Sequence, residues 1–277
     1  MGLLTGKVAI ITGASRGIGA AIARRFSAEG ADVAIVARTI EPSDKIEGSL
    51  RQTAEQIEAQ GGRCLMIQAN IADPEGRANI VAETVAHFGG LDILVNNAAW
   101  ARFVPITEAT PKQMHLALQM NLFAPQELSQ QALPHMKARG QGWILNIGSG
   151  ASDLPPTAPY DAEDRAFQFN KNGFATLYGA SKAAMNRLTA GWAVELAGSG
   201  IAVNVLAPVG AVASEGALAV GGWDDRDHVE PVETMVEAAL QLCHRPAADL
   251  SGEVVRSLPL LDRLGVRARA LDGGVLA

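Results

Sequence analysis

The chain has 277 residues, with 23 Lys or Arg, 29 Asp or Glu and a formal net charge of −6 at pH 7, and 48% of it is hydrophobic. The acidic balance argues against a nucleic-acid surface, and the apolar fraction argues against disorder. No apolar run approaches the roughly 18 residues that span a bilayer.

The start, Met1-Gly-Leu-Leu-Thr-Gly-Lys7, runs directly into a strand pattern, so neither a secretory leader nor myristoylation is expected. A cytoplasmic location without membrane or nucleic-acid partners is the expectation. Val8–Thr12 reads as the first strand. Ala20–Glu29 reads as a helix with Ala21, Ile22, Ala23 and Phe26 inward and Gly30 as its stop. Asp32–Ala37 is the second strand, Ser49–Gln60 a helix closed by Gly61-Gly62, and Cys64–Gln68 the third strand. Glu75–Phe88 is a helix closed by Gly89-Gly90, and Leu91–Asn96 is the fourth strand. Thr110-Pro111 opens a long helix, with Thr as N-cap and Pro at the first helical position. Trp143–Ile147, the long helix Thr176–Ala197 and the strand Ile201–Leu206 follow. Ser251-Gly-Glu-Val-Val255 is the last strand.

The strands are near-continuous apolar runs, as a parallel sheet covered on both faces requires. Their repeated alternation with helices predicts a Rossmann-like, doubly wound α/β fold in a single domain, 1–277, with helices on both faces. Three segments interrupt the pattern: 41–48, an insertion at 151–175 containing Pro155, Pro156 and Pro159, and a variable loop at about 210–230. Loops this long in a compact domain are usually functional. Cys64 and Cys243 have neither metal nor redox spacing and read as buried thiols, and no metal is expected.

Thr12-Gly-Ala-Ser-Arg-Gly-Ile-Gly19 lies between the first strand and the first helix. Gly13, Gly17 and Gly19 permit a tight turn and a close approach of backbone N–H groups to a pyrophosphate at the helix N-terminus, with Ser15, Arg16 and Ile18 completing the loop. An Asp or Glu at the end of the second strand would hold a ribose 2′-OH. Here Ala37 stands there, followed by Arg38. Arg16 and Arg38 together suit a 2′-phosphate, so NADP(H) is expected over NAD. The competing reading makes Arg38 a solvated charge neutralised by Glu41.

Tyr178-Gly-Ala-Ser-Lys182 opens a helix, and the Tyr and Lys four residues apart share a face. A free Tyr has a pKa of about 10. A neighbouring ammonium favours the phenolate, so Lys182 together with the positive charge of an oxidised nicotinamide is expected to lower the pKa of Tyr178 toward neutrality.

With these residues in order, the chain resembles the short-chain dehydrogenase/reductase family across nearly its whole length. The motifs are Thr12–Gly19, Asn96-Asn97-Ala98-Ala99, Asn121, Ser149, Tyr178-x-x-x-Lys182 and Asn204…Pro208. The resemblance implies hydride transfer between a nicotinamide and a carbonyl or alcohol carbon. It implies Tyr178 as general acid/base and Ser149 as hydrogen-bond partner of the substrate oxygen. Lys182 would bind the nicotinamide ribose, and Asn121 would hold a water in a proton relay to Lys182, with Pro125 interrupting the helix nearby. Cofactor contacts would come from Gly13, Ser15, Arg16, Gly17, Ile18, Gly19 and Arg38, then Asn70 and Ile71 near the adenine. Asn97, Ala98, Ala99, Tyr178 and Lys182 follow, with Pro208, Val209 and Gly210 at the nicotinamide.

Some positions depart from the family. Ala99 replaces a usual Gly, Asn70 a usual Asp, and Val209 interrupts the usual Pro-Gly. Ser214 stands in for the customary Thr. The spacing from Ser149 to Tyr178 is also longer than usual, which makes Tyr160 a rival. The residue four after Tyr160 is Asp164, however, and a carboxylate raises a Tyr pKa. Tyr160 is therefore assigned to a lid or pocket wall. Trp100, Phe103, Leu154, Phe167, Phe169 and Phe174 are candidates to line an apolar pocket for a bulky ketone or alcohol. The stretch into Ile57-Glu-Ala-Gln-Gly-Gly62 resembles hydroxysteroid-dehydrogenase-like relatives. Family membership also implies a homodimer or homotetramer. The altered nicotinamide segment leaves a second reading, a non-catalytic NADP(H)-binding sensor or scaffold. An α/β methyltransferase would give no reason for the Tyr–Lys pair.

Overall fold

The computed structural model describes residues 2–42, 47–212 and 229–276. Strands β1 (Val8–Thr12), β2 (Asp32–Ala37), β3 (Cys64–Gln68), β4 (Ile93–Asn96), β5 (Gly142–Ile147), β6 (Ile201–Ala207) and β9 (Val254–Arg256) form a parallel sheet in the order β3-β2-β1-β4-β5-β6-β9. Two short strands, β7 (Ala211–Val212) and β8 (Val229–Glu230), pair apart from it. The chain reverses its winding between β1 and β4, and at such a switch point a crevice opens beyond the carboxyl ends of the strands.

Side-chain alternation divides the core into two layers. Ala9, Ile11, Val33 and Ile35 face α1 (Gly17–Ala28), α2 (Leu50–Glu58) and α9 (Val232–His244), packing on residues such as Ile22, Phe26, Ile57 and Leu240. Val8, Ile10, Ala34 and Val36 face the opposite way, onto Ile80 and Val81 of α4 (Ile80–Phe88) and Leu128 and Ala132 of α6 (Ala124–Arg139). Burial on both faces explains the near-continuous apolar strands. Cys243 is buried and Cys64 half-buried, and burial pushes the Cys64 thiol up to about 12.

Four details differ from the sequence expectations. Helix α1 begins at Gly17 rather than Ala20, so the last loop glycines belong to its first turn. The helix expected over Glu75–Phe88 is two, α3 (Pro74–Arg77) and α4. The break follows Arg77, whose buried guanidinium donates to Glu127, to the Ile71 carbonyl (2.7 Å) and to Gln119. The helix opened by Thr110 runs as α5 (Pro111–Leu118), a wider π-helical turn at Gln119–Phe123, and then α6. The insertion is not plain loop: it holds a 3₁₀ turn (Gly150–Ser152) and α7 (Arg165–Asn172), whose N-cap is Asp164.

Helix α8 (Thr176–Glu195) follows the insertion, and the C-terminal stretch after β9 contains α10 (Ser257–Leu264). Beyond α10 the chain returns to α1. There the buried Arg25 donates to the Ala270 carbonyl and pairs with Glu29 and Glu237, both at 2.9 Å. Among the described residues no helix is long and apolar enough to cross a membrane, and no cluster of His, Cys, Asp or Glu could hold a metal ion.

Candidate active site

The loop after β1 is held from behind. The Thr12 hydroxyl donates to the Val95 carbonyl (3.3 Å) and accepts the N–H groups of Asn97 (3.0 Å) and Ala98 (3.1 Å). The Asn97 amide donates back to the carbonyls of Thr12 (2.8 Å) and Gly13 (3.2 Å). Asn97 therefore buttresses the loop across the switch point. Gly13 has φ +68°, and a Cβ on Gly19 would lie 2.4 Å from the Asn97 amide, so a side chain at Gly19 would break this contact. Arg16 gives α1 no side-chain cap, and no acidic residue occupies the first turn. That leaves the positive helix end suited to a phosphate. Arg16 donates to the Gly48 carbonyl (2.8 Å), while its buried Nε has no partner.

At the end of β2, Arg38 is exposed and makes no ion pair among the described residues. Glu41 does not neutralise it, because Glu41 pairs with Arg51 at 2.7 Å. The competing reading of Arg38 therefore loses its partner. Asn70 is exposed and Ile71 buried at the carboxyl end of β3, where Arg77 braces the turn. The loop thus presents glycine backbone, a helix N-terminus without an acidic first turn and two guanidiniums, a donor set that fits a phosphorylated dinucleotide.

Tyr178, Ser149 and Lys182 come together. Ser149 neighbours the Tyr178 phenol and favours its phenolate. Their closeness depends on Gly179, where a Cβ would lie 2.2 Å from the Ala151 carbonyl. Lys182 is buried, donates to the Ile147 carbonyl at 2.7 Å, and sits 5.8 Å from the centre of the Tyr178 ring. Burial lowers its ammonium to about 8. Burial also raises the Tyr178 phenol, with Ser149 opposing this. In the chain without a nicotinamide, desolvation of the phenol is the larger effect.

Asn121 is buried in the π-helical turn, and its side chain is fully engaged. Its Oδ1 accepts the Trp100 N–H, and its Nδ2 donates to the Trp100 carbonyl and the Ser181 hydroxyl, all at 2.9 Å. Pro125 has no N–H to give the Asn121 carbonyl four residues before it, and the Ala124 N–H goes to Gln119.

Below the site, Asn96 donates to Asn146 and Asn146 to Thr189, both at 2.9 Å, a buried link from β4 through β5 to α8. Thr12, Ser181, Asn146 and Gly179 were not singled out from sequence. Each lies inside or beside a recognised motif, and that adjacency was the available signal.

On the substrate side, Phe103 meets Tyr178 edge-on at 6.0 Å between ring centres. Phe174, at φ +50°, accepts the Val104 N–H at 3.3 Å. Tyr160 is exposed and stacks on Phe167 at 4.9 Å, while Asp164 caps α7 instead of facing Tyr160. Pro208–Gly210 leave the end of β6 with Val209 exposed. Ser214 and most of the 210–230 loop lie outside the described residues.

Glycine-rich loop, switch-point crevice and Ser–Tyr–Lys set together define a nicotinamide-dependent dehydrogenase architecture. The family model for short chain dehydrogenases matches residues 7–162 and 167–220, its gap falling inside the insertion. Hydroxysteroid dehydrogenase-like protein 2 of Danio rerio is 33% identical over 266 residues, covering 96% of this chain and 60% of that protein. A short chain dehydrogenase structure from Mycobacterium thermoresistibile has a TM-score of 0.79 at 33% identity, covering 99% of this chain and 95% of that one. A short chain dehydrogenase from Burkholderia cenocepacia J2315 in complex with NADP has a TM-score of 0.74 at 32% identity, covering 91% and 96%. The chain belongs to the short-chain dehydrogenase/reductase family. It spans about 60% of the length of curated relatives such as the Danio rerio protein.

Proposed function

We propose that this chain is an NADP(H)-dependent oxidoreductase that moves a hydride between the nicotinamide and the carbonyl or secondary-alcohol carbon of a hydrophobic substrate. The observation that carries the reading is the placement of Ser149 and Tyr178 beside the buried Lys182, at the carboxyl edge of the sheet and across from an intact phosphate loop. When bound, the nicotinamide supplies or accepts the hydride.

The chain does the rest. Ser149 and Tyr178 hold the substrate oxygen. As the carbonyl carbon gains hydride, the Tyr178 O–H gives its proton to that oxygen. Burial raises its pKa, so Tyr178 holds this proton at neutral pH until the carbonyl oxygen takes it. Lys182, mostly protonated below about 8, supplies positive charge near the phenolate and a donor for the nicotinamide ribose. The Asn121 carbonyl offers a water site from which Lys182 can be reprotonated. Phe103 and Phe174 give the pocket an apolar wall.

Arg16 and the unpaired Arg38 support NADP(H) over NAD(H). The NADP complex of the Burkholderia cenocepacia protein agrees with this. Assembly as a homodimer or homotetramer through the long helices α6 and α8 belongs to the same reading. Fluorescence titration of NADPH and NADH, with a panel of bulky ketones for turnover, tests it. Tighter NADPH binding, by about ten-fold or more, and NADPH oxidation by at least one ketone are expected. Equal affinity for the two nucleotides would sink the two-arginine argument. Binding without turnover would favour the sensor or scaffold reading.

A further inference from the structure

The peptide unit joining Pro208 and Val209 is gripped at both poles. Its N–H, on Val209, donates to Glu230 Oε2 at 2.8 Å. Its carbonyl, on Pro208, accepts from Arg256 Nη1 at 3.3 Å. A carboxylate therefore takes the positive end of one peptide dipole and a guanidinium the negative end. Charge-assisted bonds of this kind are stronger than neutral ones.

Both side chains are set from elements outside the β6 end that they hold. Glu230 belongs to β8, which pairs with β7 just beyond the gripped peptide (Val212 opposite Glu230). The Glu230 side chain is buried, and its two oxygens also accept the Ser257 hydroxyl at 2.7 and 2.9 Å. Arg256 ends β9, and its second terminal nitrogen pairs with Asp153, where the insertion after Ser149 begins. A buried carboxylate is costly to desolvate, and an apolar side chain would fill this corner of the fold more cheaply. What Glu230 adds is orientation: turning the Pro208–Val209 peptide would break both of its bonds. The same corner ties the nicotinamide segment to the substrate-side insertion through Arg256 and Asp153.

We propose that Glu230 and Arg256 are positioning residues that lock the Pro208–Val209 peptide so that the segment after β6 receives the nicotinamide half of the cofactor. The inference rests on the NADP(H) reading above. Neither residue touches the reacting atoms.

The test compares affinities for NADPH and for 2′-phospho-ADP-ribose, which lacks the nicotinamide, in the full chain. For Glu230→Ala, NADPH is expected to bind at least about ten-fold more weakly, while the fragment stays within about two-fold of wild type. Glu230→Gln keeps an acceptor for the Val209 N–H and is expected to recover most of the loss. Arg256→Met, at a side chain only partly buried, is expected to show the same selective loss at smaller size, and it carries the test if Glu230→Ala does not fold. Equal weakening for both ligands would mean a general structural role, and no weakening would mean no role; either overturns the proposal alone. Failure of Glu230→Gln to recover would also overturn it. If the wild-type chain binds neither ligand, the NADP(H) reading falls and the proposal with it.

Discussion

On the nucleotide side of the crevice, Thr12, Asn97 and Asn121 spend their polar atoms on backbone groups of neighbouring segments, and Lys182 is anchored to Ile147. On the substrate side, Leu154, Tyr160, Phe169 and Phe174 are exposed, and the insertion is held by ring contacts, the Val104–Phe174 backbone bond and the partly exposed Arg256–Asp153 pair. The first side is preorganised by hydrogen bonds that cross from strand to strand. The second is an apolar surface hung from the insertion and the loop after β4. Chemistry that must be the same at every turnover sits where the fold is most constrained. Selectivity sits where side chains can change without disturbing the sheet.

The largest way to stress this contrast lies at Lys182. Its pKa falls from 10.5 in the unfolded chain to about 8 in the fold. Between these values the unfolded chain holds a proton that the folded chain has lost, so stability rises with pH across about 8 to 10.5. Below about 8 the cost of the buried charge is fully present. Over that window wild type should gain up to about 3 kcal/mol relative to Lys182→Met, read from urea unfolding at pH 7.5 and 10. Parallel pH profiles for the two proteins would show that burial of this ammonium carries no such cost.

A smaller effect is expected on the substrate side. Phe174 holds φ +50°, a left-handed conformation that costs a bulky residue about 1–2 kcal/mol. Because its side chain is partly exposed, Phe174→Gly should lose little packing. A net gain of about 1 kcal/mol in thermal unfolding is expected, with turnover of a small ketone within a few-fold of wild type. A loss of stability instead would mean that the Phe174 ring is part of the packed structure, and the two sides of the crevice would then be less different than they look.

The sequence made the nucleotide side legible because its signals are local. Glycine spacing, the Tyr178–Lys182 interval and continuous apolar strands each follow from short-range geometry. The strands were placed within a few residues, and the two-sided core followed from them. What stayed hidden depends on long-range contacts. The break after Arg77 reflects a guanidinium bound to Glu127, 50 residues away. The side chain of Asn121 proved to be a brace between Trp100 and Ser181, which no local pattern announces. The burial that raises the Tyr178 phenol is likewise absent from any local motif. Helix α7 was missed because prolines dominate the first part of the insertion, although Asp164 is an ordinary N-cap.

The central claim is that Tyr178, and not Tyr160, is the proton donor. The most direct measurement compares Tyr178→Phe with Tyr160→Phe for NADPH-dependent reduction of a ketone that wild type turns over. The account predicts a loss in kcat/KM of about 10²–10⁴-fold for Tyr178→Phe, with NADPH affinity retained, and a change of no more than a few-fold for Tyr160→Phe. Turnover that survives Tyr178→Phe, or that collapses in Tyr160→Phe, would contradict it.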